Sequence, residues 1–108
     1  MSQQFLLRKA LTDAEAPLLI ASGASYFFRT LYISNATNNT HDLYLAITAG
    51  RAFAQQGDWI VNAYDITGHT FLRLENILVP DGHELRGYSD SATALSIVGS
   101  GVMDGLRV

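Results

Sequence analysis

Three histidines, His41, His69 and His83, each stand beside or near a carboxylate and are the first candidates for metal chemistry in this chain. A cupin-type site needs two histidines one residue apart on a strand, plus a third ligand. No such pair occurs here, so all three are expected at turns or strand ends on the surface. Among the ten acidic residues, Asp81 with Glu84 and Asp58 with Asp65 are spaced closely enough to consider acid–base work. A glycosidase needs two carboxyls roughly 5–10 Å apart across a cleft. Turn chemistry alone accounts for the aspartate in Pro80-Asp81-Gly82. Ser100, in Gly99-Ser100-Gly101, has no nucleophile elbow around it, and no glycine-rich phosphate loop with lysine is present. Asn35-Ala36-Thr37 and Asn38-Asn39-Thr40 match the glycan acceptor pattern but read as loop residues. Tyr44, Trp59 and Tyr64 are the rings that could stack on sugars, although Trp59 is expected in the core.

Composition narrows the classes further. With no cysteine, disulfide frameworks, cysteine-based zinc sites and thiol nucleophiles are excluded, which fits a reducing cytoplasm. The net charge is −3, and its few cations are scattered apart from Arg8-Lys9. Nucleic-acid binding needs clustered cations, so none is expected. No apolar run approaches the roughly 18 residues of a membrane span, and no secretion signal is read at the N-terminus. No cofactor and no catalysis are expected. Only 16% of residues are charged, so much of the surface is weakly polar and inexpensive to desolvate against a partner.

The elements that would position these residues are short strands. From Gly23 onward, apolar runs alternate with turn signals. Ser25 to Ser34 is aromatic and β-branched on both parities, which suits a strand covered on both faces. Asn35 to Thr40 is a loop. In His41 to Thr48, Leu43, Leu45 and Ile47 point one way and Tyr44, Ala46 and Thr48 the other. Gly50 to Gly57 reads as a loop or short helical piece, and Trp59 to Tyr64 as a strand. Thr70 to Val79 is one long strand or two joined by a bend near Asn76. Pro80-Asp81-Gly82 is a turn, and Glu84 to Tyr88 and Thr93 to Val98 are the last strands. Turns at roughly 8–12-residue spacing indicate an all-β fold, a β-sandwich or a barrel. Residues 1–22 form an N-terminal arm or first strand, 23–102 the sandwich and 103–108 a tail. Thr12 to Glu15 matches a helix capping box, but Pro17 limits it to one turn.

Tyr26, Phe27 and Phe28 are consecutive, so a strand must show large rings on both faces. The chain's own N-terminal segment, through Phe5, Leu6, Leu7 and Leu11, can cover the second face, or another subunit can. An intersubunit contact would be carried by Phe5, Leu6, Leu7, Leu11, Tyr26, Phe28 and Tyr32.

The stretches "LYISNAT", "DLYLAI" and "LENILVPDGHELRGYSDSATALSIVGSGV" together resemble the small β-sandwich virion proteins of tailed bacteriophages. The resemblance runs from about Tyr26 to Val102; the segment Gly50 to Gly68 is longer than those proteins have between the corresponding strands. It implies an all-β fold, a single antiparallel β-sandwich (jelly-roll-like) with an N-terminal arm, and a capsid decoration (cement) protein, a homo-oligomer with a trimer favoured, bound to a phage major capsid protein in a virion assembled in the host cytoplasm. Tail, baseplate or fibre proteins are the nearest alternative, and a carbohydrate-binding module the alternative of another class. The resemblance brings no catalytic residues.

Overall fold

The computed structural model describes residues 2–50 and 53–105. Eight strands make up the described fold: β1 (Ser2–Ala10), β2 (Ala16–Ile20), β3 (Ala24–Asn35), β4 (His41–Ala49), β5 (Trp59–Ile66), β6 (Phe71–Val79), β7 (His83–Ser89) and β8 (Leu95–Gly105). They form two four-stranded sheets. Sheet I has the order β1-β8-β3-β6 and sheet II the order β2-β7-β4-β5, with antiparallel neighbours throughout. The pairing is that of one long hairpin, β1 with β8, β2 with β7, β3 with β6 and β4 with β5, rolled so that successive pairs alternate between sheets. That order is the jelly roll, the form of sandwich that the resemblance implies.

The sheets face each other across a single apolar core of Leu7, Leu11, Leu18, Phe28, Leu31, Ile33, Leu43, Leu45, Leu85, Leu95 and Ile97, with Ile66 and Val79 at its margins. Phe28 is the largest side chain with no exposure, and burying it contributes about 1.5–3 kcal/mol. Its ring lies over Gly99, where a Cβ would come within 2.7 Å of it. Gly101 has no room for a side chain either, because the Phe27 carbonyl occupies that space. Gly99-Ser100-Gly101 is therefore the middle of a central strand. β8 runs on to Gly105, past the expected tail boundary; positions 106–108 of that tail lie outside the described residues.

Of the two alternatives expected for residues 1–22, an arm or a first strand, the described residues from Ser2 onward take the strand. β1 pairs with β8 along its whole length and β2 with β7, so this segment supplies one edge strand to each sheet. The capping-box turn at Thr12 is absent as well. Thr12 Oγ1 donates to the Ala14 carbonyl, and the Thr12 carbonyl accepts from the Ser89 N–H. The Glu15 carboxylate serves a distant partner, described below. The bend expected near Asn76 exists within one continuous β6, where Asn76 has φ 60°. Between β4 and β5 the only helical piece described is the 3-10 turn Gln56–Asp58.

Candidate interaction surface

Strand alternation gives each sheet an outer face, and the two differ. In sheet II, Leu43, Leu45, Leu85 and Gly87 point inward, so Tyr44, Ala46, Thr48, Glu84, Arg86 and Tyr88 point outward. Glu84 and Arg86 are nevertheless buried, at 3% and 7% exposure. Cover comes from the chain itself. Arg86 Nε donates to Glu15 Oε2 and Nη1 to Glu84 Oε1, each at 2.7 Å. The same Glu15 oxygen accepts the Ala54 N–H at 2.9 Å, which ties down the segment before β5. Phe53 sits over the guanidinium, 5.2 Å from ring centroid to Cζ. Ala46, directly opposite Arg86, leaves room for that group. Burial works to lower the Arg86 pKa, but its hydrogen bonds and charge pairing with Glu15 and Glu84 outweigh this and raise it.

Beside this network Tyr44 and Tyr88 stack face to face at 4.3 Å, and Trp59 meets both edge-on at 6.0 Å. Burial, then the neighbouring Tyr44 and Glu15, push the Tyr88 phenol up. Trp59 thus lies on an outer face and not in the core, because Ala46, its cross-strand neighbour, points outward. Tyr44 and Trp59 come together as a sugar platform would require. However, Tyr44 already spends one face on Tyr88, a ring the sequence did not single out, and Tyr64 lies further along β5.

The outer face of sheet I has no such cover among the described residues. Its cross-strand rows are Gln4–Val102–Phe27–Leu78, Leu6–Ser100–Thr30–Glu75, Arg8–Val98–Tyr32–Arg73 and Ala10–Ser96–Ser34–Phe71. Leu6 and Phe71 are each 60% exposed, Leu78 50% and Tyr32 41%. Tyr32 and Phe71 meet edge-to-face at 5.5 Å. Half of the remainder are serine, threonine and valine, and Arg8, Arg73 and Glu75 are its charges.

Of the seven residues expected at an interface, Leu6 and Tyr32 lie on this bare face. Leu7, Leu11 and Phe28 fill the core of the chain itself. Phe5 and Tyr26 pack against that core from sheet I, with the Phe5 ring 5.0 Å from both Tyr26 and Phe28 in T-shaped contacts. The N-terminal segment therefore covers the inner rings, while Phe27 faces out. Phe71 and Leu78, at the two ends of β6, join the face as well.

The other chemical candidates resolve into structural roles. His41 Nδ1 bonds Asp90 Oδ1 at 3.0 Å, His69 Nε2 bonds Asn38 Oδ1 at 2.6 Å, and His83 Nδ1 lies 3.3 Å from the Asp81 carbonyl. No three metal-ligating side chains converge among the described residues. Asp81 accepts the Gly23 N–H, and Asp58 accepts the Gln55 N–H. Asp58 and Asp65 lie near opposite ends of β5, about 20 Å apart at strand rise. Asn35 is buried at 1%, with Nδ2 donating to the Asn39 and Ile66 carbonyls and Oδ1 accepting from Thr37. That amide closes the loop and is inaccessible to a glycan transferase.

No protein-family model matches the chain, and no curated protein matches it. Among solved structures it is similar to the tobacco streak virus coat protein in a C2 crystal form, at TM-score 0.45 and 10% identity, covering 97% of this chain and 89% of that one. A structure of the tobacco streak virus coat protein dimer aligns at TM-score 0.38 and 10% identity, over 97% and 87%. At these values the fold assignment rests on the strand order and not on the likeness.

Proposed function

We propose that this chain is a structural virion protein, and specifically a capsid decoration (cement) protein of a tailed phage that binds the major capsid protein. It acts by packing and catalyses no reaction. The bare, weakly polar outer face of sheet I carries this reading. Burying such a face gains roughly 25 cal/mol per Å² of apolar area before association costs, and it strands few charges. The sequence resemblance supplies the setting: a particle assembled in the host cytoplasm, with many equivalent sites, where repeated weak contacts add up to high avidity. A homo-oligomer fits the same surface; the trimer expected from the resemblance rests on that resemblance alone.

Mixing the purified chain with heads stripped of it tests the proposal. The chain co-sediments with heads and raises the temperature at which they release DNA. Gold label confined to tails would move the protein to the tail or baseplate, and a chain that leaves heads unbound and no more stable would end the reading. The sugar-binding alternative predicts signal on a glycan array; the occupied faces of Tyr44 and Tyr88 predict none.

A further inference from the structure

Among the described residues each sheet ends in two strands with a single neighbour: β1 and β6 in sheet I, β2 and β5 in sheet II. An open edge is a template for another strand unless something blocks it. Three of the four are blocked. β2 is five residues long, contains Pro17 and bulges between Pro17 and Leu19. β5 slips register against β4 twice and holds Ala63 at φ 57°. β1 carries the adjacent cations Arg8 and Lys9. β6 differs: from Phe71 to Glu75 it pairs with β3 residue for residue, with no proline, lysine or shift. Its two outward charges, Arg73 and Glu75, are opposite in sign, about half exposed, placed symmetrically about Leu74 and ion-paired with each other within the strand, a surface pair that an exchange of partners with a second copy replaces one for one.

We infer that β6 is the contact through which two copies of this chain pair, antiparallel, about a two-fold axis at Leu74. An axis normal to the sheet keeps both outer faces on the same side, so facing residues share a parity. Centring the pair on Arg73 would set arginine against arginine, and centring it on Glu75 would set glutamate against glutamate. Centring it on Leu74 places Arg73 of each copy opposite Glu75 of the other, twice. Opposite charges across a strand pair stabilise it and like charges oppose it, so the charges select this register. The contact is isologous and closes on itself. Asn76, at positive φ, ends the regular stretch. The exposed Phe71 and Leu78 flank the seam, and sheet I becomes one eight-stranded layer with a doubled apolar face.

The pairing does not depend on which particle the chain joins. Light scattering after size exclusion, on the full chain, tests it with Arg73→Glu, Glu75→Arg and the double exchange. The wild type is a dimer. Each single exchange sets like charges face to face at both symmetric positions and weakens dimerisation about tenfold or more. The double exchange restores the dimer. Circular dichroism and melting of each variant separate lost pairing from lost folding. A monomeric or trimeric wild type, single variants that dimerise like it, or a folded double variant that stays monomeric would overturn the inference. Head binding is read separately. A monomeric variant that still binds heads leaves the particle reading intact, and a dimer that ignores heads removes that reading alone.

Discussion

Sheet II and sheet I finish the centres of their outer faces in opposite ways, although Ile20, Phe53, Ile60 and Tyr64 at the rim of sheet II are themselves exposed. Sheet II folds its own chain over itself, with Glu15, Phe53 and Ala54 closing on Glu84 and Arg86. Sheet I leaves Leu6, Phe71, Leu78 and Tyr32 uncovered among small polar residues. Self-cover here needs a buried ion network whose charges must be matched, because stripping water from an ion costs several kcal/mol. The sheet I face holds only three charges, Arg8, Arg73 and Glu75, the last two paired at its edge, so most of it carries no such requirement and is free to be matched by a second surface. The contrast teaches where to look for a partner: at the sheet that spends nothing on hiding itself.

The contrast breaks most visibly at Arg86. Replacing it with alanine leaves Glu84 buried without its counter-charge, and urea unfolding is expected to show a loss of about 3–5 kcal/mol. A loss under about 1 kcal/mol would mean that water already reaches the network and sheet II is not closed. Next comes the inner side of sheet I. Gly99→Ala puts a methyl 2.5 Å from Leu31 Cδ1 and 2.7 Å from the Phe28 ring. Overpacking of that kind costs about 1–3 kcal/mol. The outer side of the same sheet should be indifferent. Leu6→Ser is expected to change the stability of the isolated chain by no more than about 0.5 kcal/mol while weakening head association in co-sedimentation.

The smallest effect lies at the end of sheet II, where Asp42 and Asp90 titrate in opposite directions. A hydrogen bond with Asp65, then slight burial and the charges of Asp65 and Asp90, raise the Asp42 pKa against a smaller pull from His41. A raised folded pKa gives stability below the unfolded value of about 3.9 that is lost as pH rises through the folded value. Asp42→Asn should therefore melt slightly higher than wild type at pH 7 and equally once Asp42 is protonated. For Asp90, burial pushes upward but is outweighed by hydrogen bonds from His41, the Asp42 N–H and Ser89, so its pKa is lowered. That stability is present above the unfolded pKa and disappears as pH falls through the folded one. Asp90→Asn should lower the melting temperature at pH 7 and not below the folded pKa.

Much of the fold was legible because strand alternation is local. Leu43, Leu45 and Ile47 against Tyr44, Ala46 and Thr48 announce two faces, and Pro80-Asp81-Gly82 announces a turn. The first 22 residues were not legible in the same way. Leu6 and Leu7 are adjacent and blur the period, and the strand that fixes β1 lies at the far end of the chain. Glu15 looked like part of a helix cap because its partner, Arg86, is 71 residues away. The interface residues were legible only in part. Two covered faces of one strand look alike in sequence, whether the cover is the chain's own core, as for Leu7, Leu11 and Phe28, or open to a partner, as for Leu6 and Tyr32.

The chain has no cysteine, so thiol labelling tests the central claim directly. Ser100→Cys, in the middle of the sheet I outer face, and Gln56→Cys, on the segment covering sheet II, are both exposed positions. Both should react with a maleimide in the free chain. In the assembled particle, Ser100→Cys is expected to be protected while Gln56→Cys keeps reacting. Labelling of Ser100→Cys at its free rate in the particle would contradict the account.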